Sequence, residues 1–300
     1  MAGCASILGP ALDIDSLSRE SGVELESVTH HPQDDFHCGP ASLLSMLEHA
    51  GVDTDFETVT QRVYIPEREG SLQVEMQATV RSFGRVAYRL PPEPEAVIAE
   101  LEAGRPVLIL QNLAIPERPL WHYAVVVGFD ARENHFILRS GDQPRLQEPA
   151  RRWLRQWEWA GRWALVTLPP GELPARPDPD RLAQALADFE STAAAEDAET
   201  AWQAGLDVLN ERSIAWLGLG NSRYRQGRWS DAAEAYDQAL KLDREHLPAR
   251  LNLARTLDRQ GRPCQGLEVL EAAEPEPDHP MLEKRRELHG ELRTACDEAS

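Results

Sequence analysis

The stretch HPQDDFHCGPASLLSMLEHAG, residues 31–51, decides how the N-terminal half of the chain is interpreted. After Gly39 and Pro40, apolar residues recur every three or four positions, which predicts a helix over 39–50. Proline suits the first turn of a helix, and the helix dipole makes that end positive. Cys38 is therefore expected at the positive end of a helix, which favours the thiolate. A small core cysteine beside a turn is the alternative.

A cysteine nucleophile needs a base, which the fold must bring from elsewhere in the chain. His122, in PLWHYAVVVGFD, opens an apolar run of strand length and is the candidate general base. Acyl transfer also needs donors to the developing oxyanion. Gln33, five residues before Cys38, is the candidate side-chain donor beside the backbone N–H of Cys38.

The remaining cysteines carry no paired motif. The four cysteines lie at positions 4, 38, 264 and 296 without a CxxC pair, so neither a zinc site nor a dense disulfide framework is predicted. Cys264 and Cys296 are interpreted as helix-packing residues. A metal site is the weaker alternative for the residues around the nucleophile, because their spacing matches no structural zinc pattern. Its ligands would be His30, His31, His37 and Cys38.

The N-terminal half has the pattern of an α+β domain. Helical periodicity over 39–50, 72–83 and 93–103 is followed by strand-like runs at 106–113, 123–130, 135–141 and 163–169. An order of helices followed by an antiparallel sheet is typical of the α+β class. The segment RRWLRQWEWAGRW, 151–163, is interpreted as a helix and loop covering the sheet, with a peptide-binding or interface role as the alternative.

The C-terminal half is repetitive. A proline-rich stretch predicts a linker at 171–180, and beyond it similar segments recur at an offset of 34 residues. These segments resemble tetratricopeptide repeats, with Trp216, Gly220, Tyr224, Ala232, Tyr236 and Ala239 on signature positions. We predict an all-α domain over 181–300, made of a degenerate repeat at 182–209, repeats at 215–243 and 249–279, and a capping helix at 281–297.

The two halves together resemble a known family. PQDDFHCGPASLLSML followed by HYAVVVGFD is similar to papain-like cysteine peptidases of the bacteriocin-processing type, which cut leader peptides after a double glycine. The whole chain resembles bacterial peptidases that join such a domain to tetratricopeptide repeats, often as lipoproteins. The resemblance implies a papain-like domain over 29–170, with Cys38 as nucleophile, His122 as general base and Gln33 in the oxyanion hole. It implies neither a cofactor nor a metal.

The third catalytic residue departs from the family pattern. Those enzymes place an Asp, commonly followed by Pro, at the end of the strand after the histidine strand. Here that strand ends FILRSGDQP, so Ser140 is nearest to the expected position and Asp142 lies two residues on. Asp142 is the candidate that orients His122, and Ser140 or no residue are the alternatives.

These features lead to two expectations about function. The first is a thiol peptidase that cleaves or transfers a peptide bond of a peptide or protein substrate, with the repeats binding a protein partner on their concave face. The alternative is a non-catalytic peptide-binding adaptor built on a degenerate peptidase fold. The net charge of −19 argues against a nucleic-acid partner.

Membrane association is expected only through a lipid. No run approaches the roughly 18 apolar residues of a membrane span. In the N-terminal segment, 1–28, the Ala-Gly-Cys at Cys4 resembles the lipobox of bacterial lipoproteins, but no charged and apolar signal region precedes it in this sequence. The expected location is the periplasmic side of the bacterial envelope if an upstream signal sequence exists, and the cytoplasm otherwise.

Overall fold

The computed structural model describes residues 22–32, 37–273 and 278–299. The predicted lipobox Cys4 and the predicted oxyanion donor Gln33 lie outside these residues. The chain forms two compact units. The first comprises the described residues up to Met76 together with Arg89–Val166, and the second comprises Gln77–Tyr88 together with the described residues from Thr167 onward.

The N-terminal elements alternate between helices and strands. In chain order they are β1 (Val23–Glu24), α1 (Cys38–His49), α2 (Phe56–Val63), β2 (Tyr64–Ile65), β3 (Gly70–Ser71), α3 (Gln73–Ser82), β4 (Val86–Arg89), α4 (Pro94–Glu102), β5 (Val107–Asn112), β6 (Trp121–Asp130), β7 (His135–Ser140), β8 (Gln143–Pro149), α5 (Ala150–Trp159) and β9 (Ala164–Leu168). A short 3-10 turn, Pro66–Arg68, separates β2 from β3.

The main sheet has the strand order β4-β9-β5-β6-β7-β8, and β1 pairs with β6. The pairs that β6 makes with β1, β5 and β7 are antiparallel, as are β7 with β8 and β5 with β9. This arrangement confirms the predicted α+β class. The predicted helices at α1, α3 and α4 and the predicted strands at β5, β6, β7 and β9 are present.

The two-residue strands β1, β2 and β3 and three longer elements were not predicted from the sequence. Strand β4 lies between two helices, so the predicted order of helices first and sheet afterwards is wrong in detail. Strand β8 is mostly exposed and polar, and it therefore lacks the apolar alternation that identifies a strand. Helix α2 buries only Val59 and Val63, which is too short an apolar pattern to recognise.

The segment 151–163 covers the sheet, as predicted. Trp153, Trp157 and Trp163 are fully buried. The ring of Trp153 stacks on Phe136 of β7 with centroids 3.9 Å apart. Trp157 Nε1 donates to the carbonyl oxygen of Trp163 at 2.9 Å. These tryptophans belong to the core of the first unit, so the helix-and-loop interpretation is confirmed.

Residues 169–178 contain neither helix nor strand. The helices that follow are α6 (Pro179–Glu190), α7 (Ala195–Leu209), α8 (Ser213–Arg225), α9 (Trp229–Leu242), α10 (Leu247–Arg259), α11 (Pro263–Glu271) and α12 (Leu282–Ala299). A residue without a side chain is needed where α8 and α9 cross. A Cβ at Gly220 of α8 would lie 2.5 Å from the ring of Tyr236 in α9. The predicted all-α repeat region is therefore confirmed.

One interpretation of the cysteines is wrong. Cys264 and Cys296 do not merely pack between helices but form a disulfide across a sequence separation of 32 residues. The bond joins α11 to α12, which also share an apolar cluster containing Leu270, Leu288 and Leu292. No local spacing motif marks this pair, because the helical fold alone brings the two residues together. The disulfide fixes the last helix of the repeat region.

Removing this disulfide should destabilise the repeat region. Closing a loop of this length restricts the unfolded chain and is worth about 3–4 kcal/mol. We expect a Cys264→Ser/Cys296→Ser variant to lose about that much unfolding free energy, measured by urea titration with helical circular dichroism. Cys38→Ser, which leaves the disulfide in place, is the matched control. Equal urea midpoints for the double variant and the control would contradict a stabilising role.

Candidate functional site

Cys38 is the first residue of α1 and its side chain is buried, with 8% of its surface exposed. It is not in a disulfide. The positive end of the helix dipole lies at this terminus and favours a negative charge there. The preceding His37 stacks its ring on Tyr64 with centroids 4.9 Å apart. The structure therefore places Cys38 where the sequence predicted it, at the N-terminus of a helix.

A steric constraint explains why Cys38 is followed by a glycine. A Cβ at this position would lie 2.4 Å from Ser71 Oγ and 2.7 Å from Ser71 Cβ. Only a residue without a side chain lets the start of α1 approach β3 this closely. Close packing therefore requires a glycine immediately after Cys38.

Gly39→Ala should displace the start of α1. Overpacking of this kind costs about 1–3 kcal/mol, and we expect slower alkylation of Cys38 by iodoacetamide as well as lower stability. The matched test repeats the change in a Ser71→Gly background, which removes the atoms that the new methyl group meets. Recovery of both properties in the double variant supports the steric cause, and equal losses in the two backgrounds contradict it.

Hydrogen bonds tie the first turns of α1 to the start of β6. Ser42 Oγ donates to the carbonyl oxygen of Tyr123 at 3.3 Å in a buried contact. The Tyr123 hydroxyl donates to the carbonyl oxygen of Ser71 at 3.3 Å. Burial raises the pKa of Tyr123, and the negative charge of a Cys38 thiolate raises it further. Cys38 and the residue that follows His122 therefore share one environment.

His122 is the second residue of β6 and is half-buried. Its Nε2 lies 2.9 Å from Ser140 Oγ at the end of β7. The β6–β7 register places these residues diagonally across the strand pair, since Val126 faces Leu138 and Val125 faces Arg139. Ser140 thus contacts the imidazole ring of His122 at Nε2.

The structure does not place the candidate Asp142 against His122. Ser140 pairs with Gln143, so Gly141 and Asp142 form a tight turn, and Gly141 adopts a positive φ of 59°. Asp142 is exposed in this turn and makes no hydrogen bond to His122. Ser140, the alternative candidate, is the residue that contacts His122, with a neutral hydroxyl in place of the carboxylate expected from Asp142.

Contacts from β7 and from α1 anchor the segment before Gln33. The Arg139 guanidinium donates to the carbonyl oxygens of Leu25, Glu26 and Val28 at 3.2–3.4 Å. His31 Nε2 lies 2.9 Å from Glu48 Oε2 on α1. These contacts hold the described residues on the N-terminal side of Gln33. The oxyanion role of Gln33 itself stays a prediction.

Sequence reasoning missed a buried polar cluster beside the histidine strand. Gln111 of β5 is the cross-strand partner of His122 and is almost fully buried. Its Nε2 donates to Glu148 Oε2 at 3.0 Å, and Arg152 Nε lies 3.0 Å from Glu148 Oε1. Burial raises the pKa of Glu148. The signal was present in PVLILQNL, where two polar residues end an otherwise apolar strand.

The described residues contain neither a metal-binding cluster nor a helix suited to a membrane. No group of three or more His, Cys, Asp or Glu side chains in that part of the chain is arranged to hold a metal ion. Among the helices described, none combines the length and the apolar character that crossing a membrane would need.

The chain consists of an α+β domain, in which Cys38 begins a helix and His122 lies at the start of a strand, followed by a series of helices. Comparison with family models makes this specific. Residues 23–161 match the Peptidase_C39 like family, and residues 217–280 match the tetratricopeptide repeat. The chain thus combines a C39-like peptidase domain with tetratricopeptide repeats. No curated protein matches it.

Several solved structures are similar to parts of the chain. A C39-like peptidase from Bacillus anthracis is 17% identical with a TM-score of 0.43, over 50% of this chain and 98% of that one. A double glycine motif protease from an AMS/PCAT transporter, in complex with the leader peptide, is 20% identical with a TM-score of 0.38, over 50% and 98%. The Yersinia enterocolitica type III secretion chaperone SycD, in complex with a peptide of the translocator YopD, is 20% identical with a TM-score of 0.37, over 40% and 94%.

Proposed function

We propose that the chain is a thiol peptidase that cleaves a peptide bond through Cys38 and His122. The observation that carries the proposal is the joint between α1 and β6. Helix α1 begins at Cys38, and its Ser42 is hydrogen-bonded to Tyr123, the residue after His122. This joint keeps the nucleophile and the base at the same end of two packed elements.

The reaction follows from the chemistry of these groups. His122 accepts the thiol proton, and Cys38 Sγ attacks the scissile carbonyl carbon. Because Ser140 holds Nε2, we assign the proton transfer to Nδ1 of His122. The backbone N–H of Cys38 and the Gln33 amide stabilise the oxyanion. His122 then protonates the leaving amine, and water that His122 deprotonates hydrolyses the thioester to release the acid and the thiol.

The repeats supply the proposed recognition arm. Stacked tetratricopeptide repeats form a concave surface suited to an extended peptide or a protein partner, and the helices from α6 to α12 extend over the second unit. The Cys264–Cys296 disulfide supports an oxidising location. It is consistent with a chain that faces the periplasm and is anchored by a lipid on Cys4.

Alkylation and cleavage together test the peptidase proposal. A Cys4→Ser background under non-reducing conditions restricts iodoacetamide labelling to Cys38 among the cysteines, because the other two are paired. We expect His122→Ala to slow labelling near pH 7 at least tenfold, since the thiolate loses its imidazolium. Cleavage of a peptide library should fall by at least about 10³-fold in Cys38→Ala and His122→Ala. Labelling and cleavage rates unaffected by His122→Ala would refute the proposed roles.

A second candidate function follows from Ser140. A neutral hydroxyl orients an imidazole but does not stabilise its positive charge as a carboxylate does. This feature favours a non-catalytic adaptor that binds a peptide on the peptidase fold. The adaptor is supported if wild-type protein and Cys38→Ala bind peptides equally and neither cleaves them.

Substitutions at Ser140 separate its role from that of Asp142. A carboxylate beside His122 stabilises the imidazolium, so Ser140→Asp should shift the alkaline limb of the kcat/KM profile upward by about one pH unit. Ser140→Ala should lower kcat about tenfold, because the ring loses its hydrogen bond. Asp142→Asn is the matched control and should leave the profile unchanged. A profile that responds to Asp142→Asn and not to Ser140 substitutions would reverse the assignment.

A further inference from the structure

The strand that carries His122 is packed unevenly along its length. From Tyr123 to Phe129 every residue of β6 is buried. The two residues before His122, Leu120 and Trp121, are instead 59% and 52% exposed. Side-chain packing therefore fixes the middle of β6 more firmly than the end at which His122 lies, so hydrogen bonds carry more weight at that end.

Asn112, the last residue of β5, makes hydrogen bonds at this end of the strand. It is fully buried and pairs with Trp121 across the two strands. Its Oδ1 accepts from the backbone N–H of Ala114 at 3.1 Å and from the backbone N–H of Leu120 at 3.0 Å. The first bond is an Asx turn, in which an asparagine side chain bonds its own backbone two residues on. The second bond holds the returning chain two residues before His122.

The side chain of Asn112 takes the place of a backbone acceptor in the strand ladder. Beyond the pair of Asn112 with Trp121, the Leu113 N–H donates to the carbonyl oxygen of Leu120 at 2.9 Å. In a regular hydrogen-bonded pair of antiparallel strands, the N–H of the second residue would bond back to the first. Here the Leu120 N–H donates to Asn112 Oδ1. The start of β6 is therefore held by one backbone bond and one side-chain bond.

The orientation of the Asn112 amide follows from its neighbours. Both neighbouring groups are N–H donors, so the side-chain oxygen faces them. Asn112 Nδ2 is buried and has no hydrogen-bond partner among the residues that the structure describes. An aspartate at this position would keep both bonds and lose only an unused donor. A leucine of similar size would lose both bonds.

We propose that Asn112 is a positioning residue for His122, which acts by fixing the backbone at the start of β6. This inference rests on the proposed role of His122 as the base that ionises Cys38. Without the Asn112 acceptor, the N–H of Leu120 has no side chain to hold it, and the two exposed residues before His122 are free to move. The imidazole ring then loses its fixed position relative to Cys38, and the thiolate is less favoured.

A matched control lies at the other end of the same strand. Asp130, the last residue of β6, also accepts from two backbone N–H groups, those of Arg132 at 2.9 Å and Glu133 at 3.1 Å. The rise of a strand places Asp130 roughly 25 Å from His122. Asp130→Leu therefore removes the same kind of side-chain bond from β6 at a distance from the site.

The pH dependence of Cys38 alkylation tests the proposal. In Cys4→Ser protein under non-reducing conditions, we expect Asn112→Leu to slow iodoacetamide labelling near pH 7 at least about tenfold, because the thiol reverts toward its unassisted pKa. Near pH 9.5, where an unassisted thiol is ionised, the rate should stay within about twofold of the wild type. Asn112→Asp and Asp130→Leu should both keep the wild-type rate near pH 7.

A purely structural role of Asn112 predicts a different result. Loosening of the fold would expose the buried thiol of Cys38 and speed its labelling at both pH values. Faster labelling of Asn112→Leu, or equal slowing in Asn112→Asp, would overturn the inference.

A double-mutant cycle shows whether Asn112 acts through His122. If it does, Asn112→Leu should slow labelling in the otherwise wild-type protein and have no further effect in His122→Ala. Additive losses would overturn the inference. His122→Ala that labels at the wild-type rate refutes the proposed base and this inference together. Slow labelling of His122→Ala with normal labelling of Asn112→Leu refutes this inference alone.

Backbone amide exchange measures the hydrogen bond without reference to the thiol. The Leu120 N–H should exchange about fivefold faster in Asn112→Leu, the ratio that corresponds to a net hydrogen bond of ordinary strength. Asn112→Asp should leave this exchange rate unchanged. Equal exchange in the wild type and Asn112→Leu would show that the bond does not hold the start of β6, and it would overturn the inference.

Discussion

The arrangement of the site depends on the close approach of the first turns of α1 to β3 and β6. Gly39 permits the contact with Ser71, and the Ser42 hydroxyl fixes the helix to the backbone of Tyr123. Both contacts involve short side chains and backbone atoms, which leaves little room for adjustment. A methyl group at residue 39 would collide with Ser71 and push the start of the helix away from β3. The position of the thiol is therefore set by the packing of Gly39 and Ser42, the first and fourth residues after Cys38.

Helix α1 and strand β6, unlike the short strand β3, are elements that sequence patterns reveal well. The run from Leu43 to Leu47 and the run from Tyr123 to Phe129 are buried, so their apolar periodicity is strong. Cys38 and His122 stand at the ends of these runs, and their positions could be predicted from the boundaries alone. Small residues at repeat positions, such as Gly220, likewise predicted where the helices cross closely.

Sequence patterns did not predict the interactions that depend on turn geometry or on contacts between residues far apart in the chain. The choice between Ser140 and Asp142 depends on a two-residue turn, in which the positive φ of Gly141 leaves the carboxylate exposed. The Cys264–Cys296 bond joins residues on separate helices that no spacing rule connects. The pairing of Gln111 with His122 and its contact with Glu148 need the strand register and the course of β8, neither of which periodicity fixes.

The disulfide has a chemical consequence for the first unit. Conditions that oxidise the cysteine pair of the second unit to a disulfide also oxidise accessible thiols, including any that must stay reduced. In the part of the chain that the structure describes, the two cysteines that could form a mixed disulfide with Cys38 are already bonded to each other. Burial further shields Cys38 from oxidants in solution. One polypeptide can therefore keep a reduced nucleophile and an oxidised structural bond under the same conditions.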